Sequence, residues 1–240
     1  VSRRFSLYEK TSVSYFCVWP AGLLAGCSSS LPTANLEQIN DYTGGQSMGD
    51  ATSFYWYTER QNQPSSAADY VSSERFGWYQ SSYRWDEGQV REVVREGVQP
   101  KNQTLVPYRV QLRFNKDGEA VYQQYRVDGK VLPLNQDQLS HYQQQAKALA
   151  EMTKSQDSQG LELIQGVWDG EVFETCTGRE YRRIEFNQTL PNFVVNRLSS
   201  LDSYVAFLGK IRNDKVYVEE LLMLADDNHD CIRRPNLISE

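Results

Sequence analysis

The chain has 240 residues, with 31 acidic against 25 basic, a net charge of −6 and a mean hydropathy of −0.62. So acidic a chain is a poor partner for nucleic acid, which attracts basic faces, and no run in it reaches the ~18 apolar residues of a membrane-spanning helix. Its length suits one large domain or two small ones.

The first segment differs from the rest. Arg3, Arg4 and Lys10 make a basic start, residues 13–26 are apolar or small and uncharged, and Leu24-Ala25-Gly26-Cys27 follows. A basic start, a short apolar run and a small-residue cleavage site describe a secretory signal peptide. Leu-Ala-Gly-Cys resembles the lipobox of bacterial lipoproteins. That resemblance implies cleavage before Cys27, which becomes the acylated first residue; the alternative is an ordinary secretory peptide with an incidental cysteine. Two or more acyl chains anchor a protein stably where one does not. In such lipoproteins an aspartate after the cysteine retains the protein at the inner membrane. Ser28 stands there instead, which implies the outer membrane, facing the periplasm. Residues 1–26 remove a net charge of +2, so −6 becomes −8 in the mature chain. An acidic body is held off an anionic bilayer, and the lipid then supplies the attachment.

Residues 27–50 are polar, small and rich in glycine and serine, and are expected to form a flexible tether, part of which could pack as an edge. "ATSFYWYTER" from 51 is a strand by composition. Residues 69–97 hold two or three more, with a turn at Asp86-Glu87-Gly88. Tyr108, Val110, Leu112 and Phe114 alternate with Arg109, Gln111 and Arg113, which gives a strand with one buried and one wet face. "NKDG", "AVYQQYRV", Asp128-Gly129 and "KVLPL" continue an antiparallel meander. The period then changes: Leu139, Tyr142, Ala146, Leu149 and Met152 fall at helical spacing, with Asn135 or Asp137 as cap and His141 off the stripe. "SQDSQG" at 155–160 ends the helix and is expected to be a linker.

A second block follows. "LELIQGVWDGEVFETC" and "REYRRIEF" are strands, "LPNFVVNRLSSL" a short helix, and "SYVAFLGKIR" and "KVYVEELLMLA" a hairpin around Asn213-Asp214. This is the order of a small OB-like barrel. The expected fold class is therefore mainly β (α+β): residues 51–155 an antiparallel sheet packed by one helix, and 161–240 a small OB-like β-domain. Cys176 and Cys231 are expected to form one disulfide closing a loop of 55 residues and tying early strands of this block to its tail. Two free thiols, a metal pair, or a catalytic Cys176 served by His141 or His229 are the alternatives. "VWDGEVFETC" and "HDCIRRP" together resemble an uncharacterised lipoprotein family of enteric and vibrio-type bacteria, a domain of unknown function. The resemblance implies a periplasm-facing lipoprotein and no known chemistry.

Asp226, Asn228 and Asp230 begin like an EF-hand loop, but Cys231 and Leu237 stand where the motif needs glycine and glutamate. No metal and no cofactor is expected. Asp86/Glu87 lie in a turn, and Glu219/Glu220 point to opposite faces of a strand, so neither pair can share a substrate. Phe54/Trp56, Phe76/Trp78 and Tyr83/Trp85 are pairs two apart, each on one strand face. Buried, they are core; open, Trp56, Trp78 and Trp85 form stacking platforms for ligands. The expected function is a non-catalytic outer-membrane lipoprotein. It is held to the membrane by its N-terminal lipid and acts as an interaction or structural module with an envelope protein or cell-wall partner. The alternatives are a binding lipoprotein for a glycan, peptide or acyl ligand on an aromatic sheet face, and an enzyme acting on the wall.

Overall fold

The computed structural model describes residues 38–187 and 189–238. The expected signal peptide at 1–26, Cys27, Ser28 and the first part of the expected tether lie outside the described residues.

Eight strands run in order across one antiparallel sheet: β1 (Ile39–Met48), β2 (Ala51–Arg60), β3 (Gln63–Ser73), β4 (Gly77–Asp86), β5 (Gln89–Lys101), β6 (Thr104–Phe114), β7 (Ala120–Val127) and β8 (Lys130–Leu132). Positive φ at Gln61-Asn62, Glu87-Gly88, Asn102-Gln103 and Asp128-Gly129 builds two-residue turns whose twist matches that of the paired strands. The later part of the expected 27–50 tether forms β1, the edge strand, paired with β2 from Ile39↔Arg60 to Met48↔Ala51. Its polar sequence has little strand preference of its own, and tertiary bonds fix it. The Gln156 amide donates to the Gly45 carbonyl at 2.7 Å and accepts from the Gly45 N–H at 3.1 Å.

One face of this sheet packs under α1 (Gln136–Ser158). Asn135 accepts from the Gln138 N–H while the Gln138 side chain accepts from Asn135, a reciprocal cap that fixes the helix start. Leu139, Ala146, Leu149 and Ala150 then meet Tyr57, Tyr83, Trp85, Val93, Val110, Leu112 and Phe114 in one cluster. The helix runs into the segment expected as a linker because Gln156 is buried against β1.

The second sheet holds β9 (Glu162–Trp168), β10 (Phe173–Thr175), β11 (Glu180–Tyr181), β12 (Ile184–Phe186), β13 (Ser203–Arg212) and β14 (Lys215–Asp226), in the order β11-β10-β9-β13-β14-β12. It curls into a half-barrel, and two register shifts between β13 and β14 sharpen the curl. Inside lie Ile164, Phe173, Val205, Phe207, Val216 and Val218, with Leu198 of α2 (Asn192–Ser200). Its other face carries Tyr204, Ala206, Leu208 and Leu222, which share a cluster with Phe54 of β2 and Leu161. β13 is thus buried on both sides, and residues 203–209 are buried without a break.

Beyond β14 the tail crosses the second face of the eight-stranded sheet. The Cys176–Cys231 disulfide ties its start, with the Cα atoms 6.0 Å apart. The Gln165 side chain donates to the Ile232 carbonyl and accepts from the Ile232 N–H, both at 3.1 Å. Arg234 donates to Thr58 and Ser66, and the Ser82 hydroxyl donates to the Pro235 carbonyl and accepts from the Leu237 N–H. The bridge therefore ties the tail to its own block, as expected, and the hydrogen bonds beyond it reach the eight-stranded sheet. Replacing Cys176 and Cys231 by serine is expected to lower unfolding free energy by about 2–5 kcal/mol, measured by denaturant titration. Hydrogen exchange should rise along 231–237. Unchanged protection of that stretch would show that the side-chain bonds alone hold it.

Candidate functional site

The three tryptophans singled out from the sequence fall in three environments. Trp85, 7% exposed, is core beneath α1 and meets Tyr57 edge-on at 6.3 Å. Trp56 lies on the opposite face and packs, half-buried, against the cluster shared with the half-barrel. Trp78, 39% exposed, is on that same second face. They line no common pocket.

Trp78 is the open one. Its ring stacks on Tyr70 at 6.4 Å, and Tyr70 meets Phe54 at 6.1 Å, so an aromatic file runs from the buried end of the face to its open end. Beside it, Val98 and Pro107 help to line a hollow of about 390 Å³ rimmed by Glu96, Arg109 and Arg126. The registers Glu96↔Arg109 and Arg109↔Arg126 place these charges in one row across β5, β6 and β7, and Arg109 is bonded to Glu96 at 2.5 Å. Gly97 stands next to Trp78 because a Cβ there would lie 2.1 Å from the Trp78 carbonyl oxygen.

A larger hollow of about 510 Å³ lies near the tail and is lined by Arg60, Arg84 and Arg234, among others. Arg84 is paired with Glu92 at 2.6 Å, and Arg234 is engaged with Thr58 and Ser66.

The layer between α1 and the sheet carries charges that the sequence reading passed over. Tyr55, Asp69, Ser81, Arg95, Val110 and Tyr125 form one cross-strand row. Arg95, 6% exposed, donates to Ser81 at 2.7 Å, Tyr83 at 2.8 Å and Gln145 of α1 at 3.1 Å, and sits over the Tyr79 ring at 4.0 Å. The Tyr83 hydroxyl donates to Asp69 Oδ2 at 3.0 Å, and Asp69 Oδ1 has no partner. Burial pushes the Tyr79 hydroxyl up to about 12, so it is a neutral group at physiological pH. The phase held the signal: Asp69 is two residues from Ala67 and Arg95 two from Val93, so both charges are on the apolar face.

Glu59 is the third buried charge of this layer. It accepts from Lys154 at 2.7 Å, Tyr57 at 3.0 Å and Tyr42 at 3.1 Å. Burial raises its pKa, but these three donors outweigh burial and hold it below the ordinary 4.5. His229 lies against the Tyr204 ring, with centroids 4.5 Å apart, and His141 is exposed. Among the described residues, no three His, Cys, Asp or Glu side chains group as a metal ion would require, and no helix is long and apolar enough to cross a membrane.

Fold and surfaces together define a mainly β, disulfide-tied protein with an open aromatic file on one face and a buried ionic layer on the other. Residues 43–236 match the family described as Protein of unknown function (DUF1481), and the chain belongs to that family. Comparison with curated proteins and with solved structures returns no match.

A carboxylate with a lowered folded pKa adds stability above the ordinary glutamate range, and that contribution is lost as pH falls through the folded value. Glu59→Gln should therefore destabilise the protein by about 1–3 kcal/mol at pH 7, since charged hydrogen bonds are lost. It should also flatten the loss of stability between pH 5 and pH 3. Denaturant titrations across that range check both effects, and parallel pH curves for the two proteins would remove Glu59 as the acid-sensitive group.

Proposed function

We propose that this chain is a non-catalytic, lipid-anchored protein of the bacterial cell envelope that faces the periplasm from the outer membrane and holds cell-wall glycan on the open end of its eight-stranded sheet. The observation that carries the reading is Trp78, exposed and stacked on Tyr70 beside Val98 and Pro107, with Glu96, Arg109 and Arg126 at the rim. A flat aromatic surface flanked by fixed polar groups suits a sugar ring, which has an apolar face and a polar edge. The non-catalytic reading is supported by the internal engagement of two of the buried acidic groups. Glu59 is held by Lys154 and two tyrosines, and Glu92 by Arg84 and Arg113. The anchor is supported by Leu24-Ala25-Gly26-Cys27, and outer-membrane sorting by Ser28.

Trp78→Ala should weaken binding of the full-length protein to isolated cell-wall glycan at least tenfold, about 1.4 kcal/mol, in a sedimentation assay. Equal binding by the variant would remove this face as the docking surface, and no binding by the native protein would remove glycan as the ligand. The anchor has its own test. Cys27→Ser should leave the precursor uncleaved and block incorporation of labelled fatty acid, while Ser28→Asp should shift the protein to the inner-membrane fraction. Native protein that takes up no label would sink the lipoprotein reading.

A further inference from the structure

On the helix side of the sheet, away from Trp78, a slot of about 240 Å³ opens between α1 and the strands β1–β4. Its lining has a definite chemistry. Asp69 is the one charged side chain in it, and Tyr55 and Tyr79 supply aromatic surface. Gln145 contributes an amide from the helix, and Met48 and Met152, both exposed, stand at the solvent side.

Asp69 is the unusual member. The residue is 5% exposed, its Oδ2 accepts from Tyr83, and its Oδ1 is buried without a partner. A buried carboxylate oxygen left unpaired is costly, more so than a neutral group. Arg95 does not relieve it. Its Nη2 is 3.9 Å from Oδ2 and is already bonded to Tyr83 and Gln145, and Arg95 does not line the slot. Tyr55 already accepts from Gln46 at 2.7 Å, which leaves its own proton for a second partner.

We infer that this slot is a binding site for a small organic ammonium ion, with the N–H groups directed at the Asp69 carboxylate and the organic body held between Tyr55, Tyr79 and the two methionines. A carboxylate that lines the slot, with its paired arginine outside the lining, selects a cation over an anion. Tyrosine rings attract a cation over their faces, and methionine adapts to ligands of varied shape. The volume is below that of drug-sized sites, which limits the ligand to about the size of a large amino-acid side chain. The site is independent of glycan binding at Trp78, because the two lie on opposite faces of the sheet.

The test uses the full-length protein and three probes of one size: phenethylamine, 2-phenylethanol and phenylacetate, followed by NMR titration at pH 7. Phenethylamine should bind at least tenfold more tightly than the alcohol, and phenylacetate should not saturate. Asp69→Asn should abolish the preference for the amine. Met152→Trp, which fills the solvent side and leaves Asp69 intact, should weaken the amine at least tenfold and decides the matter if the Asp69 variant fails to fold. Trp78→Ala should leave amine affinity unchanged. Equal affinity for amine and alcohol, amine affinity unaltered in Met152→Trp, or no saturation by the amine would each overturn the proposal.

Discussion

An eight-stranded antiparallel meander has two faces and two edges, and the rest of this molecule follows from how unevenly they are covered. On one face α1 lies over the middle of the sheet and buries Tyr57, Tyr83, Trp85 and Val93. On the other, the half-barrel and the tail cover the end built by β2 and β3, where Phe54 is fully buried, and leave the far end to solvent. The row Phe54, Tyr70, Gln80, Glu96, Arg109, Arg126 crosses that boundary, apolar where it is covered and charged where it is not. One sheet can thus be core at one end and presented surface at the other.

The helix layer solves a different problem. Tyrosines fill much of it, and each brings a hydroxyl that needs a partner once buried. Glu59, Asp69 and Arg95 supply those partners, so charge and aromatic bulk are distributed together through the layer. Such a network rigidifies where every member is satisfied. Asp69 is the member that is not, and it lies beside the slot rather than in the packed interior.

Much of this architecture was legible in the sequence, for local reasons. Turns at Asp86-Glu87-Gly88, Asp128-Gly129 and Asn213-Asp214 announce themselves because few residues tolerate positive φ. The alternation of Val110, Leu112 and Phe114 gave both strand and buried face. β1 was legible only as a possible edge, because its sequence is mostly polar and part of what fixes it is Gln156, more than 100 residues away in the chain. The last turn of α1 looked like a linker for the same reason. The tryptophans show the limit of pattern reading: spacing placed each on a face, but only the tertiary fold decides which end of a face is roofed. Asp69 and Arg95 were missed because charged residues in a strand are ordinarily assigned to water. Their phase with Ala67 and Val93 was the signal against it.

The tail has a consequence for the order in which the chain assembles. Every hairpin of the meander joins neighbouring strands through a short turn, so these contacts are local and form fast. The clasp is the opposite: residues 231–237 follow every strand of both sheets, and they close over strands laid down more than 140 residues earlier. A nascent chain can therefore form its hairpins while the second face of the sheet is still open. That face is closed only once residues 231–237 have been made. The Cys176–Cys231 bond then fixes the start of the closing segment, a step in assembly separate from its effect on final stability.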